Sequence, residues 1–218
     1  MLTWEELSEL TRTRRSIRRF QDKPVPEDLL LKALELATWA PNGGNQQAWR
    51  FLIVTNRELI RKMGDAVQAK TELMASWPEA KQFAETVAQW RKSSDFFRGA
   101  PVCIAVLIGK YSSIADQILQ ARGEADPIAR EIRSCRETAK TSLQSAAAAI
   151  TYICLFLHYF GLGTTWMAGP LQAKKEIEQL LDVSPEWDFM GLIPVGYPAE
   201  DPKTRPRKPI QDVIQFFR

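Results

Sequence analysis

The chain has 218 residues, 29 basic and 26 acidic, for a net charge of +3, with 45% hydrophobic and 25% charged side chains. That is enough for one well-cored domain and excludes disordered, collagen-like and disulfide-scaffold classes. The mild basicity sets up no global field for a polyanion, so any basic function has to be local.

Thr3 and Glu6 form a capping-box pattern that predicts a first helix. "TRTRRSIRRF" follows, with arginines at 12, 14, 15, 18 and 19. Pro24 and Pro26 break the chain, and Glu27 and Asp28 start a second helix that runs to Pro41. "PNGGNQQ" is the strongest loop signal. "AWRFLIVT" reads as a buried strand, and Asn56 caps a third helix. Residues 65–98 read as a polar helical excursion that suits a lid. "PVCIAVLIG" is a second buried strand, and residues 110–126 read as a loop.

From Asp126-Pro127 one long helix is expected through about Phe160, ended by Gly161 and Gly163. Residues 142–163 are apolar enough to suggest a membrane span, but Ser142, Gln144, Ser145, Thr151 and His158 interrupt them, so a buried core or interface helix is expected. "TTWMAG", a helix "QAKKEIEQLLDV" and the strand "FMGLIPVGYP" follow. The proline-rich basic tail, 197–218, ends in "VIQFFR", which suggests packing on a partner. No repeat or internal linker is found, so residues 1–218 read as one α+β domain.

Cys103, Cys135 and Cys154 stand far apart, with no metal or redox spacing, and read as reduced, buried thiols. No secretory leader is evident, which favours a cytoplasmic protein. The lone histidine, His158, lies in the apolar helix and reads as structural. There is no G-x-S-x-G, no P-loop and no carboxylate–histidine cluster, so neither a serine triad nor a metal site is expected. "GLGTTW" fails the dinucleotide fingerprint, because its sixth position is Trp166 and it follows a helix. A bound cofactor would therefore carry any chemistry. Arginine's planar fork suits a phosphate. Arg14, Ser16 and Arg18 share one side of an extended segment, and Lys203, Arg205, Arg207 and Lys208 add a second cluster. The two clusters fit a small phosphorylated cofactor better than a nucleic acid.

"RRSIRRF", "APNGGNQQAWRF", "GLGTTWMAGP" and "VGYPAEDPKTRPRKPI", in that order from about residue 8 to 212, together resemble the nitroreductase superfamily. The resemblance implies a small mixed β-sheet flanked by helices, with residues 127–160 as the central helix of a homodimer and FMN at the interface. It assigns Arg14, Arg15 and Ser16 to the FMN phosphate and ribityl chain and Arg18 to the pyrimidine edge. In the loop, Pro41 and Asn45 match the family pattern. Asn42 replaces a serine, Ala48 replaces a proline, and Gln47 matches as a ligand or a loop lock. Trp166, Met167, Ala168 and Gly169 would lie near the reactive flavin edge, with Ala168 where some members carry glutamate. Arg207, with Arg205 as a second, would complete the phosphate site. The activity implied is ping-pong electron transfer from NAD(P)H to nitroaromatic, quinone or similar small organic acceptors, with no nucleic-acid or membrane partner and no named catalytic side chain. A reductive dehalogenase, the flavin-fragmenting branch of cobamide biosynthesis and a non-catalytic flavin binder are the alternatives.

Overall fold

The computed structural model describes residues 3–123 and 125–218. Helix α1 (Trp4–Thr13) opens with the capping box: Thr3 N–H donates to Glu6 at 2.7 Å and Glu6 N–H to the Thr3 hydroxyl at 3.1 Å. Helix α2 (Glu27–Ala37) places Leu30, Ala33 and Ala37 at helical spacing on one buried face.

The sheet has the order β1-β2-β4-β3, with β1 Trp49–Val54, β2 Val102–Ile108, β3 Gly163–Thr164 and β4 Asp188–Gly196. Strand β2 is an unbroken apolar run because both of its faces are covered. Val102, Ile104 and Val106 pack with α2 and with α7 (Thr141–Tyr159). Cys103, Ala105 and Leu107 pack with α3 (Arg57–Ala75) and α8 (Lys174–Leu180). An alternation of two sends successive side chains into two different cores. Edge strand β1 is less enclosed than the sequence suggests, with Ile53 36% exposed.

Paired strands run antiparallel throughout, so the expected mixed character reduces to one parallel bridge between Ser16 and Thr164. The strand expected at "TTWMAG" shrinks to two residues, with Met167 meeting Leu192 as a separate bridge. Gly163 belongs to that strand; Gly161, at φ +75°, is the residue that ends α7.

Two expectations are overturned. Residues 110–126 are not a loop: Ser113 and Asp116 form a second capping box that opens α5 (Ile114–Arg122). The single helix expected over 127–160 is two, α6 (Pro127–Glu137) and α7, divided where Lys140 adopts φ +48°, ψ +52°. Part of the stretch Pro127–Tyr159 has the length and apolarity of a membrane span. That break, and the burial of Ala146, Ala149, Ile150, Ile153 and Leu157 in the sheet's core, identify α7 as a core helix. The α5–α6 hairpin is tied by Arg136 to Asp116 at 2.8 Å and to Ser113 at 2.8 Å. Its two ends meet where Ser142 Oγ donates to the Gly109 carbonyl at 2.7 Å.

The excursion is helical as expected: α3 ends at Ala75, and a 3-10 turn (Pro78–Phe83) leads into α4 (Ala84–Ser93). Arg91 on α4 grips Glu72 on α3 through both nitrogens it presents. Residues 201–218 are exposed except for Pro202, and Phe217 is 88% exposed. Cys103 and Cys154 are buried as expected, but Cys135 is exposed on α6.

Candidate cofactor site

Residues 14–21 form an extended strip threaded between β3 and the chain that leaves β4. On the β3 side, Ile17 N–H donates to the Thr164 carbonyl at 2.9 Å, and the Thr165 hydroxyl donates to the Ile17 carbonyl at 2.6 Å. Gly163 is required there, since a Cβ would lie 2.7 Å from Ile17 Cβ. On the other side, Gln21 N–H donates to Tyr197 and Ala199 N–H to Arg19, both at 2.9 Å. Ile17 is buried and anchors the strip, leaving its arginines toward the surface.

The arginines divide. Arg19 pairs with Glu200 at 3.2 Å, and Glu200 also accepts the backbone N–H groups of Arg18 and Arg19. Burial alone would raise the Glu200 carboxyl, but those donors and the Arg19 guanidinium outweigh it and hold it below the ordinary value. Arg15 turns inward on the protein, donating to the carbonyls of Arg12 and Arg14 and to Thr204. This contact holds Thr204, the residue before Arg205, against the strip. Arg18 lies over the Phe96 ring at 5.9 Å. The guanidiniums of half-buried Arg14 and exposed Arg12 make no hydrogen bond or ion pair with the described residues, and neither do those of exposed Arg205 and Arg207.

Beside the strip is a ledge. Met167 is buried and exchanges backbone hydrogen bonds with Leu192 at 2.9 and 3.0 Å. Gly191 makes room for this, because a Cβ there would lie 2.8 Å from the Met167 carbonyl oxygen. Trp166, 44% exposed, and the exposed Ala168 and Gly169 form the open rim.

The 41–47 loop is elsewhere. Asn42 Nδ2 donates to the Ala40 carbonyl at 3.2 Å, and its Oδ1 accepts Gln47 N–H at 2.9 Å. Both ends of a side chain expected to reach the flavin are thus spent inside the loop. Gly43 N–H donates to Ser145 Oγ on α7 at 3.1 Å, and Gln46 brackets the backbone of Ser112. Pro41 and Asn45 are exposed, with Asn45 at φ +51°. Ser145 and His158 are thirteen positions apart on α7, about 20 Å of helical rise. One chain therefore unites Arg14, Arg15, Ser16, Arg18, Trp166–Gly169 and the tail, and leaves Pro41, Asn42 and Asn45 at the far end of the same helix.

Sequence reasoning missed Thr165, Glu200 and Thr204, which set the strip. The one readable signal among them is Glu200, which with Asp201 stands just before the tail's basic cluster. It also misplaced His158, which is half-buried and touches Thr13. No group of three or more metal-capable side chains exists among the described residues.

The sequence profile of the Nitroreductase family matches residues 11–197. An iodotyrosine deiodinase from Thermotoga neapolitana is 30% identical over 217 residues, covering 95% of each chain. Among solved structures, a BluB-like flavoprotein from Clostridium difficile 630 superposes with a TM-score of 0.84 at 24% identity, covering 98% of this chain and 99% of the other. An iodotyrosine deiodinase bound to FMN and 3-iodo-L-tyrosine superposes with a TM-score of 0.69 at 25% identity, covering 93% and 95%. The chain belongs to the nitroreductase family.

Proposed function

We propose that this nitroreductase-family chain is an FMN-dependent oxidoreductase that passes electrons from NAD(P)H to a small organic acceptor such as a nitroaromatic or a quinone. The observation that carries the reading is the strip: an unpaired Arg14 guanidinium beside Ser16, with Arg18 further along and an exposed ledge at Trp166–Gly169. Those donors suit a phosphate at one end and a planar ring at the other. Arg14 and Ser16, with Arg205 and Arg207 from the tail, hold the phosphate. Arg15 positions the tail through Thr204. Arg18 supplies a fixed cation where negative charge develops on the ring. The Trp166–Gly169 ledge orients the ring, and Trp166 shields it from water. Bound FMN supplies the hydride chemistry itself.

The two ends of α7 support a homodimer. Antiparallel pairing of α7 with its copy brings the 41–47 loop of one chain to the arginine strip of the other, so that Pro41 and Asn45 complete the partner's site. Leu143 and Tyr159, exposed near opposite ends of α7, suit such a face. A second reading, reductive dehalogenation of an aromatic substrate, is favoured by the 30% identity to a deiodinase across 95% of both chains.

The test is anaerobic. Purified protein should show flavin absorbance that NADH or NADPH bleaches and a quinone restores. Protein that binds no FMN overturns the proposal. Bound flavin that ignores both nicotinamides but, once reduced by dithionite, is reoxidised by 3-iodotyrosine transfers the assignment to the second reading.

A further inference from the structure

The chain's single histidine does not sit in the core. His158 lies in the last turn of α7, and its Nε2 is 3.0 Å from the hydroxyl of Thr13, the last residue of α1. That hydroxyl gives its proton to the Glu9 carbonyl at 2.8 Å. It is therefore the acceptor toward His158, and Nε2 carries the hydrogen. The neutral ring then has a bare Nδ1.

The residues that follow Thr13 are Arg14 and Arg15. Burial first, then Arg14, then Arg15 hold the imidazole below the ordinary histidine range. Cys154, one turn back on α7 and also under the influence of Arg14, is the nearby titratable group on its own helix. β3 contributes no ionisable residue, and no carboxylate is among the groups acting on the ring. Burial first and the two guanidiniums after it thus favour the neutral ring, with no carboxylate acting against them.

We propose that His158 is a proton-linked member of the phosphate site: when the FMN phosphate settles on Arg14 and Ser16, Nδ1 takes up a proton from solvent and the imidazolium joins the cations that hold it. This rests on the FMN reading above. A phosphate monoester brings about −1.5 to −2 charges at neutral pH and reverses the local potential that Arg14 and Arg15 create. The C-terminal turn of α7 also favours a cation. The ring is only half-buried, so the proton has a path. Phosphate and proton then bind reciprocally, each tightening the other.

Because the chain has one histidine, its Cε1–H resonance reports this ring without assignment. Titrations of flavin-free, riboflavin-loaded and FMN-loaded protein should show the ring's pKa rising by roughly one unit, a tenfold affinity effect, with FMN and not with riboflavin. An unchanged titration in protein that visibly holds FMN overturns the inference alone; protein that binds no FMN overturns it together with the reading beneath it. The phosphate's own second ionisation, near pH 6, runs the other way, so a non-titrating variant is measured in parallel. His158→Gln keeps an N–H donor for Thr13. The FMN affinity ratio of wild type to His158→Gln should approach one near pH 8 and rise as pH falls, reaching about tenfold only below the pKa of the flavin-free ring. A ratio independent of pH means His158 only ties α1 to α7, and overturns the proposal.

Discussion

At its N-terminal end α7 holds a loop whose polar groups are mostly spent on the protein itself: Asn42 on Ala40 and Gln47, Gly43 on Ser145, and Gln46 on Ser112. At its C-terminal end it holds a strip that collects like charge, with the Arg14 guanidinium unpaired and His158, beside it, biased by burial and the arginines toward its neutral form. The loop is complete as folded, whereas the strip carries a repulsion that an anion relieves. A ligand that binds only the folded chain stabilises it by an amount set by its concentration relative to its Kd, so substitutions at the strip should act through FMN affinity while substitutions at the loop act on the fold itself.

The largest effect should come from Arg14→Gln. Losing a charge-assisted hydrogen bond of roughly 1.5–3 kcal/mol should weaken FMN binding about 10- to 150-fold in a fluorescence titration. The Tm of the flavin-free protein should hold or rise, because a like charge has gone; a fall in Tm would break the contrast between the ends. Gly163→Ala comes next. The new methyl meets Ile17 Cβ at 2.7 Å, an overpacking of roughly 1–3 kcal/mol, and should lower both Tm and FMN affinity by displacing the whole strip. Arg18→Gln should leave FMN occupancy nearly intact but lower its two-electron midpoint potential by roughly 20–40 mV, equivalent to about 1–2 kcal/mol. Asn42→Ala removes two hydrogen bonds at the other end and should lower the flavin-free Tm through a loss of about 1 kcal/mol or slightly more. If it weakens FMN as strongly as Arg14→Gln does, the loop is a ligand and not a lock.

The smallest effect is one of pH. The folded pKa of His158 is depressed in the flavin-free chain, so its neutral form favours folding and stability is lost as pH falls below the ordinary value near 6.5. Flavin-free protein should lose Tm between about pH 7 and 5, and His158→Gln should flatten that slope. Asp116, held far below the ordinary carboxylate range by Arg136 and Ser113, contributes its stability above that range. It loses it only as pH falls well below 4, which keeps the two transitions apart.

Of the four helix openings that rest on a side chain, the sequence carried three, Thr3 with Glu6, Asn56 and Asp126, because a cap is a local contact. It carried β2 because a doubly covered strand is apolar at every position. The same cap logic applied to Ser113 and Asp116 would have found α5, but the weak apolar pattern of residues 114–122 hid it. The break at Lys140 had no signal, since a lysine at positive φ is held there by its surroundings and not by its own preference. The arginine motif was legible as a candidate site. What could not be read was distance: Asn42 and Arg14 are close in sequence, yet the chain puts them at opposite ends of a 19-residue helix. His158 was misjudged because its neighbours on α7 are apolar, while its own partner, Thr13, is 145 positions away.

The stitch between Ser142 and Gly109 makes the α5–α6 hairpin a cassette. The chain leaves the sheet and returns to it at adjoining points, so closing the gap with a short turn adds little chain-closure entropy. Tyr111 and Ser112 have to stay, since they brace Gly43 and Gln46 in the loop. From Ser113 to Ala139, however, the segment is fastened largely to itself through Asp116 and Arg136. For protein engineering this is a socket: a tag, a fluorescent reporter or a second binding module could be exchanged there while the strip and the ledge keep their registry with the sheet.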